Sequence, residues 1–356
     1  MNYDLFIFAP CLKTDVKKVV TKLMMRPIQD TFPLLQNPKK IFITTHHKPD
    51  GDAIGSVLGL YHYLTKKGHH VIPVSPGELP DFLMWMPGVE HLLNYEAESK
   101  LSIKALKEAD LIFCLDFNEL SRTKHLGQVL AEATQPKILI DHHLKPQAVW
   151  DYGMSIPEKS STAEMVYDFI NLCGDNALID TDIAACLYTG VMTDTGSFRF
   201  PVTSANVHAM VSDLKHKGLD HTKIHEELYD TWSINRMRFM GYVLIEKMEI
   251  FPKYNAGLIA ISKKDMKLFD VRSGDLEGLV NMPMSINNIN FATMITERND
   301  EVKLSFRSKG DFDVSEFARK YFNGGGHMNA SGGTSKASFV ETISNFKKIL
   351  SDIHAR

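Results

Sequence analysis

Four short runs of this chain are apolar at almost every position: KKIFITT (39–45), HVIPVS (70–75), ADLIFCLDF (109–117) and PKILIDHH (136–143). A strand with one wet face alternates apolar and polar side chains. A strand covered on both faces is apolar throughout, as in a parallel sheet flanked by helices. Helical patterns fall between and after these runs. AIGSVLGLYHYLTKKG (53–68) ends on Gly68, a natural stop. SSTAEMVYDFINLCG (160–174) opens with the capping-box pair Ser161 and Glu164, and DTDIAACLYTG (180–190) ends on Gly190. Strand–helix alternation of this kind predicts an α/β fold with a largely parallel N-terminal sheet.

The texture changes after about residue 203. SANVHAMVSDLKHKG and TWSINRMRFMGYVLIEKMEIF read as helices. AGLIAIS (256–262), NFATMITE (290–297) and VKLSFRS (302–308) read as strands, the last two joined by the turn RNDE. A helix DVSEFARKYF (313–322) leads into NGGGH, and a last helix covers roughly 336–355. With 356 residues available for two ordinary domains, the expected division is a catalytic α/β domain over 26–215, a helical linker over 216–245, and a smaller α+β domain over 246–356.

Hydrophobic residues make up 44% of the chain and charged residues 23%, which suits a globular protein with an ample core. The net charge of −3 argues against a general binder that tracks long phosphate backbones, and leaves room for a local pocket for a short charged ligand. The four cysteines (Cys11, Cys114, Cys173 and Cys186) form no CxxC pair, so neither a disulfide framework nor a thiolate zinc site is expected, and a reducing cytoplasm is the natural setting. No run approaches 18 apolar residues, so no membrane span is expected. At the start, MNYDLFIFAPCLKTDVKK puts its apolar patch before its lysines, the wrong order for a secretory signal. Residues 1–25 have no assigned role, and Met24 or Met25 is an alternative start.

The charged residues gather where the apolar runs end. KIFITT is followed by His46, Asp50 and Asp52, LIFCL by Asp116, KILI by Asp141, His142 and His143, and LYTGVMT, read as a further strand, by Asp194. Ligand sites of open α/β sheets lie outside such strand ends. Several carboxylates in one pocket repel one another unless cations offset them, and carboxylates with imidazoles suit Mn²⁺ or Mg²⁺. Two such ions roughly 3.5–4 Å apart would clamp the attacking and leaving oxygens of a phosphoryl displacement and acidify a water to a pKa of roughly 7. Plainer readings stand beside this one. An Asp after a strand is commonly a turn or cap residue, and Asp52 sits where it could cap the following helix. His69-His70 has no acid nearby and reads as structural, and His221 with His225 is a weak HxxxH pair.

In order along the chain, HHKPDGDAIGS, LDFNELSR, IDHH and GVMTDTGSFRF resemble the four signature motifs of the DHH phosphoesterase superfamily. SFRSKGDFDVSEFARKYFNGGGHMNASGG (305–333) resembles the glycine-rich signature of the DHH-associated C-terminal domain. The subgroup with the most similar wording is the bifunctional oligoribonuclease (nanoRNase) and 3′-phosphoadenosine 5′-phosphate (pAp) phosphatase type. The resemblance implies that His46 and Asp50 hold one Mn²⁺, that Asp52, His142 and Asp194 hold another, and that Asp116 bridges them. Mg²⁺ or Co²⁺ are alternatives. His143 would contact the scissile phosphate, and Asp141 would orient the histidines. The spacing H-x-x-P-D selects His46 and leaves its neighbour His47 without a role. In the second domain, Gly324, Gly325 and Gly326 would let backbone approach a phosphate. Arg307 and His327 would hold phosphate or base, with Arg199 a weaker contact. The substrate would lie between the domains.

The activity implied is metal-dependent hydrolysis of nanoRNA, or of dinucleotides such as pApA, to 5′-mononucleotides. Removal of the 3′-phosphate of pAp to give AMP accompanies it. No membrane partner is expected, and the resemblance allows a homodimer. A family II-like inorganic pyrophosphatase shares the metal motifs but lacks the GGGH signature. The large processive exonuclease of the superfamily would need a further domain after residue 356. A non-catalytic nucleotide-binding module would be marked by a missing ligand, and every ligand position is filled.

Overall fold

The apolar runs become the central strands of a sheet covered on both faces. A computed structural model describes residues 25–272 and 274–354. Residues 1–24 with Cys11, residue 273 and residues 355–356 lie outside the described residues. The chain divides into two units, one through Asp230 and one from Thr231.

In the first unit the strands are β1 (Arg26–Pro27), β2 (Lys40–Thr44), β3 (His70–Ser75), β4 (Leu93–Asn94), β5 (Leu111–Leu115), β6 (Lys137–Asp141) and β7 (Tyr152–Ser155). The helices are α1 (Gly51–Lys66), α2 (Ser99–Glu108), α3 (His125–Glu132), α4 (Thr162–Leu172), α5 (Thr181–Asp194), α6 (Ala205–His216) and α7 (His221–Tyr229). The sheet order is β1-β7-β6-β5-β2-β3-β4, with every pairing parallel. Side chains alternate between its faces. Ile41, Ile43, Phe113, Ile138 and Ile140 pack with α1, α4 and α5, while Phe42, Ile112, Cys114 and Leu139 pack with α2 and α3. That two-sided burial is why the strands read as unbroken apolar runs. Along the chain β3 is laid on one side of β2, and β5, β6 and β7 on the other, so the order reverses between β2 and β5. Ligands of such sheets bind at that reversal.

α1 and α5 pack unusually closely because glycine lines their seam. A Cβ at Gly55 would stand 2.4 Å from the Cys186 carbonyl oxygen, and one at Gly59 2.7 Å from Leu187 Cδ2. A Cβ at Gly190 would stand 2.5 Å from the Ala163 Cβ and 2.8 Å from Asp52 Oδ1. Gly190 is therefore an interior contact rather than the helix stop read from sequence. α5 runs on to Asp194, so the supposed strand LYTGVMT is helical. The three strands β1, β4 and β7, short and with mixed composition, carried no sequence signal.

The second unit holds the helices α8 (Ile234–Tyr242), α9 (Lys263–Leu268), α10 (Val314–Tyr321) and α11 (Phe339–His354). Its strands are β8 (Met248–Phe251), β9 (Ala256–Ile261), β10 (Phe291–Glu297), β11 (Val302–Ser308), β12 (Gly325–His327) and β13 (Ala330–Ser335). They form one mixed sheet in the order β12-β13-β11-β10-β9-β8. β10 and β11 are the antiparallel pair expected from NFATMITE and VKLSFRS, with Phe291 opposite Ser308. The long helix expected over TWSINRMRFMGYVLIEKMEIF ends early. After one wide turn at Val243–Lys247 the segment MEIF becomes β8, paired with β9. Pairing at the sheet edge outweighs a local helical pattern there. None of the described helices is long and apolar enough to cross a membrane. Cys114 and Cys186 are buried thiols in the core.

Two outcomes follow from this packing. Gly55→Ala forces a side chain into backbone, and is expected to cost about 1–3 kcal/mol in urea unfolding. In the second unit the buried Asp265 accepts from Ser262, from Tyr242 Oη at 2.7 Å and from Lys247 Nζ at 2.9 Å. Burial alone would raise its pKa, but these donors outweigh it and hold the carboxyl down to about 2. Its stabilisation is fully present above the unfolded value of about 4 and is lost as pH falls toward about 2. The stability gap between wild type and Asp265→Asn is expected to stay constant from neutral pH down to about 5, then close on further acidification.

Candidate functional site

β2, β5 and β6 are neighbours in the sheet, and their C-terminal ends deliver His46, Asp116, Asp141, His142 and His143 to one place. Asp116 is at its centre. Its Oδ2 lies 3.3 Å from His46 Nε2, and its Oδ1 lies 3.5 Å from His142 Nε2 and 3.6 Å from His143 Nδ1. The backbone there is left-handed (φ 63°), a conformation that Asp and Asn tolerate better than most side chains. The turn is held by the Asp116 N–H donating to Ile140 and by Arg122 donating to the Asp116 carbonyl.

Two helices bring the other acids. Asp50 caps α1, accepting from the N–H groups of Asp52 and Ala53. The capping role weighed for Asp52 thus falls to Asp50. Asp52 is fully buried in the first turn of α1 and reaches across to α4, accepting from Thr162 N at 2.7 Å and Ala163 N at 2.8 Å. Asp194 closes α5, and its Oδ2 lies 3.3 Å from His142 Nε2. A helix C-terminus is a poor place for an acid, since the dipole presents negative charge there. A cation beside it is the natural remedy.

Potential ligand atoms of His46, Asp50 and Asp116 lie within 4.8 Å of one another, as do those of Asp52, Asp116 and His142. Asp116 belongs to both groups. The donors are carboxylates and imidazoles, the set that hard divalent ions take. Electrostatics says the same. Burial, then the charges of Asp116 and Asp50, push Asp52 up to about 8, and burial with Asp52 and Asp50 pushes Asp194 up as well. Burial would lower the pKa of His142, but its contacts with Asp116, Asp194 and Asp52 outweigh this and raise it to about 11. His46 is raised for similar reasons. Asp116 is held well below the usual range, because His142, His46 and His143 outweigh its burial. A divalent ion would offset the mutual repulsion of these carboxylates. The residues fit such an ion.

His143 sits beside this group with its Nδ1 2.7 Å from Asp141 Oδ1. Asp141 is fully buried, and its Oδ2 has no hydrogen-bond partner among the described residues. His47 turns away to Glu96 Oε1 at 3.2 Å. The histidines set aside in the sequence have other partners. His69 accepts from Lys39 N, and His225 meets Tyr188 Oη at 3.0 Å. Arg199 is exposed on the loop after α5, with its Nε donating to the Gly196 carbonyl.

Gly325 and Gly326 open β12, an edge strand; a Cβ at Gly324, just before it, would stand 1.9 Å from the Gly332 carbonyl oxygen, and Gly326 has φ 144°. Gly325 pairs opposite Gly332, and His327, exposed, opposite Ala330. Arg307 is half-buried on β11, its Nη1 donating to the Phe306 carbonyl.

The sequence reading missed the segment around Thr162. Its Oγ1 donates to Asp116 Oδ1 at 3.0 Å, and the Lys159 carbonyl meets His142 Nδ1 at 3.3 Å. The string SSTAE signalled a helix start and nothing more.

The chain matches the DHH family, N-terminal domain, over residues 40–191 and the DHHA1 domain over residues 264–355. It belongs to the DHH family. It is 29% identical over 313 residues to the bifunctional oligoribonuclease and PAP phosphatase NrnA of Thermus thermophilus, 88% of each chain. To the Bacillus subtilis protein of the same name it is 25% identical over 293 residues, 82% of this chain and 88% of that one. The crystal structure of an exopolyphosphatase-related protein from Bacteroides fragilis matches with TM-score 0.88 at 40% identity, covering 92% of this chain and 96% of that one.

Asp116→Asn keeps a side chain that suits the left-handed backbone and removes the shared charge. The expected result is a melting temperature of the metal-free protein below wild type at neutral pH, because the imidazole contacts that favour the ionised Asp116 are lost, with Mn²⁺ affinity in titration calorimetry lowered by at least about 10–100-fold.

Proposed function

We propose that this protein is a divalent-metal-dependent phosphoesterase that hydrolyses short oligoribonucleotides, including dinucleotides such as pApA, to 5′-mononucleotides, and removes the 3′-phosphate of pAp. The observation that carries the proposal is Asp116, a carboxylate common to two adjacent groups of ligand atoms. His46 and Asp50 would hold one ion, Asp52, His142 and Asp194 the other, with Asp116 between them. Mn²⁺ suits the mixed imidazole and carboxylate set, and Mg²⁺ or Co²⁺ are alternatives. Ions bound there would supply Lewis acidity toward the phosphate and an acidified water as nucleophile.

The protein's own groups do the rest. The hydrogen bond to Asp141 orients the His143 ring, which in this reading meets the phosphate oxygens and balances the charge that develops on them. In the second unit, Gly324, Gly325 and Gly326 lack the side chains that would hold a phosphate away from backbone N–H groups, and His327 and Arg307 supply donors for phosphate or base. Arg199 is a subsidiary contact. The substrate class follows the Thermus and Bacillus relatives, whose names join oligoribonuclease and PAP phosphatase. The net charge of −3 agrees, because a channel for long strands would be basic.

The test is turnover with Mn²⁺ on pApA, a five-residue RNA, a 24-residue RNA, pAp and pyrophosphate. Preference for the short RNAs and pAp, lost in Asp116→Asn, is expected. Hydrolysis of pyrophosphate alone would overturn the reading. His327→Ala is expected to raise KM for the five-residue RNA at least about tenfold while leaving Mn²⁺ affinity at the wild-type value.

A further inference from the structure

We infer that the segment Lys159–Glu164 is the positioning element of the metal site, and that Thr162 is the residue within it that makes Asp116 a bridge. This rests on the reading that the carboxylate cluster holds divalent ions.

Four contacts leave this one segment for three different ligand residues. The Lys159 carbonyl meets His142 Nδ1 at 3.3 Å, which sets the ring with Nε2 toward Asp116 and Asp194. The N–H groups of Thr162 and Ala163 each take one oxygen of Asp52. The Thr162 hydroxyl donates to Asp116 Oδ1 at 3.0 Å. Asp52 and Asp116 are 110 and 46 residues away from Thr162 in sequence, so the arrangement is tertiary.

The segment is itself locked. Glu164 Oε2 accepts from both the N–H and the hydroxyl of Ser160 at 2.8 Å, and Glu164 Oε1 accepts from Lys159 Nζ at 2.8 Å. Ser161 Oγ accepts from Glu164 N at 3.0 Å. The sequence predicted a reciprocal box between Ser161 and Glu164. Only the serine half forms, and the glutamate instead pins the turn that precedes α4. Ser160, Ser161, Thr162 and Glu164 are all buried.

Thr162 has a particular consequence. A bridging carboxylate must offer one oxygen to each side. A carboxylate free to rotate about its last torsion can turn both oxygens to one ion, or swing between the two. The Thr162 hydroxyl fixes the plane, with Oδ1 on the Thr162 and His142 side and Oδ2 on the His46 side. Thr162 touches no ion in this scheme. It acts through Asp116, as partners one layer out from a metal do.

The experiment is calorimetric titration of the metal-free protein with Mn²⁺, alongside melting of the same metal-free samples. Thr162→Val removes the hydroxyl and keeps the branched shape, and Thr162→Ser keeps the hydroxyl and removes the methyl. Thr162→Val is expected to weaken Mn²⁺ binding by about 10–100-fold with little change in metal-free melting, and Thr162→Ser to bind within about threefold of wild type. Should the valine variant not fold, the comparison of Thr162→Ser with Thr162→Ala isolates the hydroxyl in the same way. Wild-type affinity in Thr162→Val, or equal losses in valine and serine, would overturn the inference by showing that the residue only fills space. If the wild-type chain binds no Mn²⁺, the metal reading itself fails, an outcome separate from the other two.

Discussion

The glycine seam between α1 and α5 decides how near the acids of this protein come to the strand ends. Gly55 lies against the Cys186 backbone, and Gly190 against Asp52 and Ala163. Side chains at these positions would push the helices apart by the thickness of a methyl group or more. Asp52 then could not reach the α4 amides, and Asp194 could not stand beside His142. Helix packing on one face of the sheet is thus the condition for the charge cluster at its edge.

That cluster is a balance of unfavourable terms. Buried carboxylates repel each other and lose hydration, and each is tolerable only where something compensates. Asp116 has imidazoles on both sides. Asp52 has the first amides of α4, where the helix dipole favours an anion. Asp194 has His142, although its own helix end opposes it. Asp141 keeps one oxygen without a donor among the described residues. The left-handed backbone at Asp116 adds local strain, of a kind that persists where the surrounding structure holds it in place. A site of this kind is stable as a scaffold and remains short of positive charge, the state that draws divalent ions. In that setting small changes of orientation matter. The hydroxyl of Thr162 and the carbonyl of Lys159 decide which atoms of Asp116 and His142 face inward.

The two units solve the same burial problem differently. The first covers a parallel sheet on both faces, and its strands carry unbroken apolar runs. The second uses a mixed sheet, with Phe291, Phe306 and Phe317 on one side and Ile259 and Met294 on the other. Its glycine strand sits at an edge, where only one side of the backbone is committed to the sheet.

Much of this was legible in the sequence because it depends on local pattern. Doubly buried strands must be apolar throughout, so β2, β3, β5 and β6 were visible. Acids and histidines placed straight after such strands must share one edge, so His46, Asp116 and His142 could be gathered before any coordinates. The DHH-like spacing of the motifs pointed to the rest of the proposed ligand set. Tertiary structure alone decided other matters. Asp50 and not Asp52 caps α1, while Asp52 turns to the amides of α4, 110 residues away. MEIF becomes a strand because β9 offers an edge to pair with. Gly190 stays inside a helix because another helix presses on it. Thr162 and Glu164 could not be found from sequence, since a serine, a threonine and a glutamate at a helix start serve equally well as an ordinary cap. Their role exists only where the fold sets that cap against Asp52 and Asp116.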